Sequence, residues 1–151
     1  MKKRDAKRGK AGKERYGLWL LAMALAVVAL DRAFKLYLQD SCAWMLCIKR
    51  AANYGAALGI LEGWIFFLVL AAIAVLILIA LLYQGSRRPV KLALALIAAG
   101  TVSNLIDRVF YGHVIDLFSV FGSSSFNLAD LSNLAGAAIL IFFLWRGEKK
   151  R

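Results

Sequence analysis

The sequence predicts an all-α integral membrane protein with four transmembrane helices and a small extracytoplasmic region of strands and loops. Of its 151 residues, 62% are hydrophobic and the mean hydropathy is +0.67, whereas soluble domains are nearer half apolar. Eight of the 20 Lys and Arg residues precede residue 16, and most of the others border apolar segments, as cytoplasmic anchors do. This placement argues against nucleic-acid binding, which the net charge of +11 would otherwise suggest.

The first 16 residues are polar and basic. We expect them to form a disordered cytoplasmic tail that lies against anionic lipid headgroups. The apolar run from 17 to 38 predicts the first transmembrane helix. A cleaved signal peptide is the alternative, but no small-x-small cleavage site follows closely and three more apolar segments come later.

An acid and a base lie one helical turn apart inside this first helix. Asp31 and Lys35 are four positions apart with the acid first, which is the spacing of an intrahelical ion pair. Charges at membrane depth normally face the protein interior or a wet cavity. We therefore expect this pair to support the structure of the protein rather than to take part in catalysis.

The first loop, residues 39–62, contains a predicted short strand at 44–48 and a glycine-rich turn. Asn53 is followed by Gly55 and Gly59, a pattern that indicates a tight turn with close backbone approach. The Asn53 side chain can alternatively satisfy its own backbone in that turn.

Two cysteines, Cys42 and Cys47, lie in the same loop. Two are too few for a disulfide framework, and no His or further Cys lies near them to complete a zinc site. We interpret them as two ordinary cysteines, whose redox state the sequence leaves open.

The second helix is predicted at 63–83, where no charge occurs over 21 residues. Trp64 and Tyr83 lie at its ends, as interfacial aromatic residues do. A short link follows, in which Pro89 is suited to open the third helix, predicted at about 90–109.

The fourth helix is predicted at about 127–145, which completes a single four-helix domain over 17–146 before the basic end at 147–151. The tail, the link at 84–91 and the C-terminus hold eight, three and four Lys or Arg. By the positive-inside rule both termini are therefore cytoplasmic, and the loops at 39–62 and 109–130 face outward.

Two acids bracket the outward loop between the third and fourth helices. Asp116 lies in an apolar run that disfavours a charge, and Asp130 lies three residues after Asn127. The latter spacing is close to a capping box, so helix capping is an alternative role for Asp130. Acids are costly in a membrane protein, which makes both candidates for chemistry.

A polar group occupies one helical turn near the outer end of the third helix. Asn104 and Arg108, at positions i and i+4, share a face, and Asp107 lies between them. A self-satisfied polar cluster is one interpretation; donors aimed at a bound peptide are the other. The only histidine, His113, is nearby, but no nucleophile-elbow motif accompanies it, and we interpret it as a loop residue.

Taken together, these residues resemble the bacterial lipoprotein signal peptidases, the type II signal peptidases. Each motif is weak alone, but all five in this order on four helices are specific. The motifs are Asp31-x-x-x-Lys35, Asn53-x-Gly55-x-Ala57-x-Gly59, Asn104-x-x-Asp107-Arg108, Gly112-x-Val114-x-Asp116 and Phe126-Asn127-x-Ala129-Asp130.

The resemblance implies an aspartic endopeptidase of the bacterial cytoplasmic membrane whose site lies at the extracytoplasmic face. Its substrates would be prolipoproteins whose lipobox cysteine carries diacylglycerol, its inhibitors would be of the globomycin type, and it would need no metal or organic cofactor. Asp116 and Asp130 match the catalytic pair, and Asp31 and Lys35 match a supporting motif. Positions matching site support or substrate binding are Asn53, Gly55, Asn104, Asp107, Arg108, Asn127 and Ala129.

An aspartate pair suits peptide hydrolysis because one carboxylate can activate water while the other supplies a proton. We expect Asp130 to ionise more easily, because it lies at a helix start, although the two titrate as a pair. Three departures from the family pattern, Leu58, Ser103 and Phe34, bear on pocket shape and substrate preference. A non-catalytic scaffold derived from the family and, less favoured, a small ion-coupled transporter are the alternatives.

Overall fold

The computed structural model describes residues 2–43, 46–55, 63–120 and 124–148. A pair of short strands follows the first helix, and a second pair follows the third helix. In order, the elements are α1 (Lys2–Tyr37), β1 (Ser41–Ala43), β2 (Leu46–Asn53), α2 (Ile65–Tyr83), α3 (Arg88–Tyr111), β3 (Val114–Val120), β4 (Ser124–Phe126) and α4 (Leu128–Glu148).

Each of the four helices contains a segment long and apolar enough to cross a membrane, as the sequence predicts. These segments are Gly12–Tyr37, Ile65–Tyr83, Arg88–Tyr111 and Leu128–Arg146. Many large apolar side chains on all four helices are exposed, which suits contact with lipid rather than water. Pro89 lies in the first turn of α3, as expected.

The first helix differs from its prediction at one end. α1 begins at Lys2 rather than residue 17, so residues expected to form a disordered tail are helical. Their sequence is rich in Lys and Arg, which are good helix formers, and α1 continues from it into an apolar span without a break. The expected contact of this segment with lipid headgroups stays a prediction.

The connections between α1 and α2 and between α3 and α4 form one antiparallel sheet in the order β1-β2-β3-β4. β2 and β3 pair in two stretches with a bulge between Ile48 and Ala51, beyond which Ala51 lies opposite Asp116. The strand predicted at 44–48 is confirmed from Leu46 onward and runs further, to Asn53, whereas positions 44 and 45 lie outside the described residues. Gly59 of the predicted turn and Leu58, one of the departures from the family pattern, lie outside the described residues.

The interpretation of the cysteines as two ordinary residues is wrong. Cys42 and Cys47 lie directly opposite each other in the β1–β2 pairing and form a disulfide. The five-residue separation gave no sign of this, because only a hairpin between the two residues brings their side chains together.

α3 is the central helix, and its contact with α4 is close. A side chain at Gly100 would overlap the Ala129 carbonyl and the Asn133 amide, and a Cβ at Gly136 would lie 2.7 Å from the carbonyl oxygen of Ala93. Small residues allow two helix backbones to approach in this way. The packing places the first turn of α4 directly against the middle of α3.

Candidate active site

Asp116 is fully buried on β3 and is held by three neutral donors. Its Oδ2 accepts hydrogen bonds from Asn53 Nδ2 at 3.1 Å and from Ser125 Oγ at 3.3 Å. Its Oδ1 accepts one from Asn127 Nδ2 at 2.9 Å. The strand pairing makes this possible, because β2 and β4 lie on either side of β3 and bring Asn53 and Ser125 to it.

Asp130 lies in the first turn of α4, where the predicted capping box is confirmed. The Asp130 N–H donates to Asn127 Oδ1 at 2.9 Å, and the Asn127 N–H donates to Asp130 Oδ2 at 3.2 Å. The other carboxylate oxygen, Oδ1, accepts from Asn104 Nδ2 at 2.8 Å. One oxygen of Asp130 therefore helps to cap α4, and the other accepts a hydrogen bond from α3.

Asn127 joins the two aspartates. Its side-chain NH₂ donates to Asp116 and also to Asn104 Oδ1 at 3.1 Å, while its oxygen accepts from the Asp130 backbone. Since Asn127 is fully buried, its amide is fixed in this position. We call Asp116 and Asp130, with these amide partners, the aspartate pair.

A cavity of about 550 Å³ opens beside the aspartate pair. Asp130 lies in its wall, and Asp116 lies next to the wall, hydrogen-bonded to the lining residues Asn53 and Ser125. One part of the wall is polar and the other is apolar. The polar lining is Asn53, Thr101, Asn104, Arg108, Ser125, Asp130 and Asn133, and the apolar lining is Ala72, Val114, Phe126, Leu134 and Ala137.

Arg108 lines the same cavity and anchors the turn after β2. Its Nη2 donates to the Gly55 carbonyl at 3.0 Å, and the Gly55 N–H donates to Asn53 Oδ1 at 3.0 Å. Asn53 therefore satisfies its own backbone, as one interpretation expected, and also reaches Asp116. The Arg108 Nε is buried and has no partner within the described ranges, so it is a donor available to a bound molecule.

A second group of buried acids lies behind the aspartate pair. Asp31 and Asp107 are both fully buried, and Lys35 Nζ bridges them, at 2.7 Å from Asp31 Oδ2 and 2.6 Å from Asp107 Oδ2. Arg32 also bridges them, with Nη2 3.0 Å from Asp31 and Nη1 on Asp107. We call these four residues the charged cluster.

The pKa of Asp116 is raised above its usual value. Burial is the main cause, and the negative charge of Asp130 is the next. The hydrogen bonds from Asn53, Ser125 and Asn127 act in the opposite direction, because they stabilise the anion. A buried carboxyl beside a second carboxylate favours keeping a proton, which is the electrostatic setting of an acid–base pair.

The arrangement has clear counterparts among known proteins. The sequence model of signal peptidase II matches residues 23–146, which is most of the chain. The chain belongs to the signal peptidase II family. Members of this family are membrane-bound aspartic peptidases, so the protein is a hydrolase with membrane-spanning helices.

Relatives and solved structures agree with the family match. The lipoprotein signal peptidase of Brevibacillus brevis is 31% identical over 147 residues, covering 88% of this chain and 99% of that protein. That of Pseudoalteromonas translucida is 34% identical, covering 91% and 95%. A bacterial membrane enzyme solved by the in meso method at 2.3 Å resolution superposes with a TM-score of 0.82 at 26% identity, covering 87% and 90%.

Most residues that the sequence marked for the candidate site come together. Asn53, Asn104, Arg108, Asn127 and Asp130 surround the cavity or bond to an aspartate. Asp107, Ala129, Asp31 and Lys35 lie one layer behind, where Ala129 is fully buried. His113 packs against the rings of Tyr54 and Tyr111, with ring centroids 5.1 and 6.4 Å away.

Two residues that contact the buried acids were not predicted from the sequence. The Ser125 hydroxyl donates to Asp116, and no local sequence pattern indicates that β4 lies beside β3. Arg32, which forms ion pairs with Asp31 and Asp107, is the second of these residues. Its position one residue from a buried acid was the available signal.

The family departures that the structure describes lie away from the cavity wall. Ser103 is buried and its hydroxyl donates to Asp31 Oδ2 at 2.6 Å. The ring of Phe34 contacts that of Phe118 edge to face, with centroids 6.4 Å apart. Both departures therefore affect the packing of the charged cluster and the sheet. This differs from the expected effect on pocket shape.

Proposed function

We propose that this protein removes the signal peptide from diacylglyceryl-modified prolipoproteins, cleaving just before the lipidated cysteine, and that Asp116 and Asp130 activate the water. One observation carries the assignment of residues. Two carboxylates, one on β3 and one in the first turn of α4, are joined through Asn127 beside a cavity in a member of the signal peptidase II family.

The hydrolysis needs one ionised and one protonated carboxyl. Asp130 takes a proton from water as the water oxygen attacks the scissile carbonyl, and Asp116 gives its proton to the carbonyl oxygen. The tetrahedral intermediate then collapses, and its C–N bond breaks. The leaving amine takes the proton held by Asp130, and the intermediate returns a hydroxyl proton to Asp116, which restores the starting state.

The assignment of Asp116 as the proton donor rests on its surroundings. Burial and the charge of Asp130 raise the pKa of Asp116. Asp130 lies at the start of α4, where the helix dipole favours an anion by roughly 0.3–1 kcal/mol. The hydroxyl of Ser125 can reverse its hydrogen bond, donating to ionised Asp116 and accepting from the protonated form, so it suits both states.

The cavity wall suits a peptide with an apolar flank. Asn104 and Arg108 offer donors to peptide carbonyls beside Asp130. Ala72, Leu134 and Ala137 extend the cavity with small and apolar surface between membrane-spanning helices. Such a wall fits the apolar part of a signal peptide or an acyl chain, and this combination favours a lipid-modified substrate.

We further propose that the sheet and the aspartate pair face the extracytoplasmic side and that both termini are cytoplasmic. Charge supports this orientation, because Arg87, Arg88 and Lys91 lie at the opposite helix ends. The Cys42–Cys47 disulfide also supports it, since disulfides persist outside the reducing cytoplasm. In a bacterium this membrane is the cytoplasmic membrane.

Cleavage by the purified protein in detergent tests the proposal. The substrate is a prolipoprotein carrying diacylglycerol on its lipobox cysteine, and the matched control is the same prolipoprotein without the lipid. We expect cleavage of the modified form only, and inhibition by globomycin. A folded protein that cleaves neither form would overturn the proposal in favour of a non-catalytic scaffold.

A further inference from the structure

The charged cluster holds the backbone just ahead of each aspartate. The Ile115 N–H, one residue before Asp116, donates to Asp107 Oδ2 at 3.1 Å. The Ala129 N–H, one residue before Asp130, donates to an oxygen of Asp31, also at 3.1 Å. Each aspartate thus follows a peptide group that is anchored on a different buried carboxylate.

Two cations tie those anchoring carboxylates together. Lys35 Nζ lies within 2.7 Å of both acids, and the Arg32 guanidinium spans the same two acids. Asp31 and Asp107 are fully buried, so their ionised forms need compensation inside the protein. Lys35 alone supplies one positive charge for two negative ones; with Arg32 the cluster is neutral.

Arg32 is also placed to fix the spacing between helices. Its Nη2 reaches the carbonyl and hydroxyl oxygens of Ser103, at 3.3 and 3.2 Å, in addition to Asp31. α1 is thereby linked to α3, and through Asp31 and Asp107 to the first turn of α4 and the start of β3. Its planar set of donors can serve both acids at once, which an ammonium group does less rigidly.

We propose that Arg32 is a positioning residue, whose charge completes the neutral cluster that holds both aspartates of the pair in register. The inference rests on the proposed function, since it concerns the pH dependence of the same reaction. Arg32 touches neither the cavity wall nor an aspartate of the pair among the contacts of the described residues.

Removing the positive charge of Arg32 leaves one uncompensated negative charge behind the aspartate pair. That charge disfavours ionisation of the pair, so both limbs of the pH–rate profile move to higher pH, by about half a unit to one unit. The charged groups around the pair on the described elements are Asp31, Arg32 and Lys35 of α1 and Asp107 and Arg108 of α3.

The test compares pH–rate profiles for cleavage of the diacylglyceryl prolipoprotein by four proteins beside wild type. Arg32→Gln removes the charge, Arg32→Lys keeps it, and Asp31→Asn with Arg32→Gln restores neutrality while the Asn oxygen can still accept the Ala129 N–H. Lys49→Gln removes a charge from an exposed position on β2 and is the matched control.

We expect a shift to higher pH in Arg32→Gln only, with the wild-type profile in Arg32→Lys, in the double variant and in Lys49→Gln. An unshifted Arg32→Gln profile, or a shift that persists in the double variant, would overturn the inference. If Arg32→Gln fails to fold, recovery of folding and of the wild-type profile in the double variant supports the charge argument, and failure of both variants overturns it. Absence of cleavage by wild type would instead overturn the proposed function.

Discussion

Two pairs of acids lie side by side in this protein, and their partners differ. Asp31 and Asp107 of the charged cluster are each bridged by both cations, Lys35 and Arg32. Asp116 and Asp130 of the aspartate pair receive amide and hydroxyl donors instead, and neither forms an ion pair within the part of the chain that the structure describes.

Because of these different partners, aspartate side chains have a structural role in the charged cluster and a chemical role in the aspartate pair. A carboxylate that forms ion pairs with two cations is held in one position, so it can act as a fixed support. Carboxylates near each other and held by neutral donors can share a proton, because no cation compensates both charges. The cluster is therefore suited to holding structure, and the pair to moving protons.

The largest expected effect is on catalysis. Asp116→Asn or Asp130→Asn removes a group that gives or takes a proton, and we expect cleavage to fall by at least about 1,000-fold in each, with the fold retained. The measurement is kcat/KM on the diacylglyceryl prolipoprotein. Asp40→Asn, a change of the same type at an exposed acid, is the control and should keep wild-type activity. Wild-type rates in either site variant would refute the pair.

The charged cluster should instead respond in stability. Asp107→Asn leaves Lys35 and Arg32 with one carboxylate between them, and we expect a loss of about 3–5 kcal/mol in the free energy of unfolding. Thermal unfolding in detergent measures this. If Asp107→Asn unfolds at the wild-type temperature and loses activity as completely as Asp116→Asn, the contrast between the two pairs is wrong.

A smaller effect is expected where the aspartate pair and the helix start share one side chain. Asn127→Ala removes the donor to Asp116 and the cap of α4, so we expect about 1 kcal/mol of lost stability and a rate about 10- to 100-fold lower. Ser132→Ala is the matched control. It lies on α4 and removes a single hydrogen bond, from the Ser132 hydroxyl to the Leu96 carbonyl of α3. Equal rates in the two variants would contradict the bridging role.

The smallest effect is a pH dependence of stability. Because folding raises the pKa of Asp116, its contribution to stability is fully present below the ordinary pKa and is lost as the pH rises through the folded-state pKa. Asp116→Asn cannot titrate, so its stability relative to wild type should rise with pH, by about 1.4 kcal/mol for each unit of pKa displacement. Unfolding midpoints between about pH 4 and pH 8 test this; the opposite trend would contradict it.

The sequence predicts those features of the molecule that depend on neighbouring residues. The four apolar spans, the opening of α3 at Pro89 and the capping box of Asn127 and Asp130 all follow from local patterns, and the structure confirms them. The resemblance to the signal peptidase II family is confirmed by the family match.

Features that depend on distant contacts could not be predicted. Arg32 and Asp107 are 75 positions apart, and their contact exists only because α1 packs on α3. Ser125 reaches Asp116 through a strand pairing that no local pattern specified. The Cys42–Cys47 disulfide likewise depends on a hairpin register. In the membrane, hydropathy reports the spans but gives no partner for a polar group inside them.

The most direct test of the central claim is the infrared carbonyl stretch of protonated carboxyl groups at neutral pH, compared among wild type, Asp116→Asn and Asp107→Asn. We expect a protonated-carboxyl band in wild type that is lost in Asp116→Asn and retained in folded Asp107→Asn. A wild-type spectrum without this band, or a band that survives in Asp116→Asn and disappears in Asp107→Asn, would contradict the division of roles between the two pairs of acids.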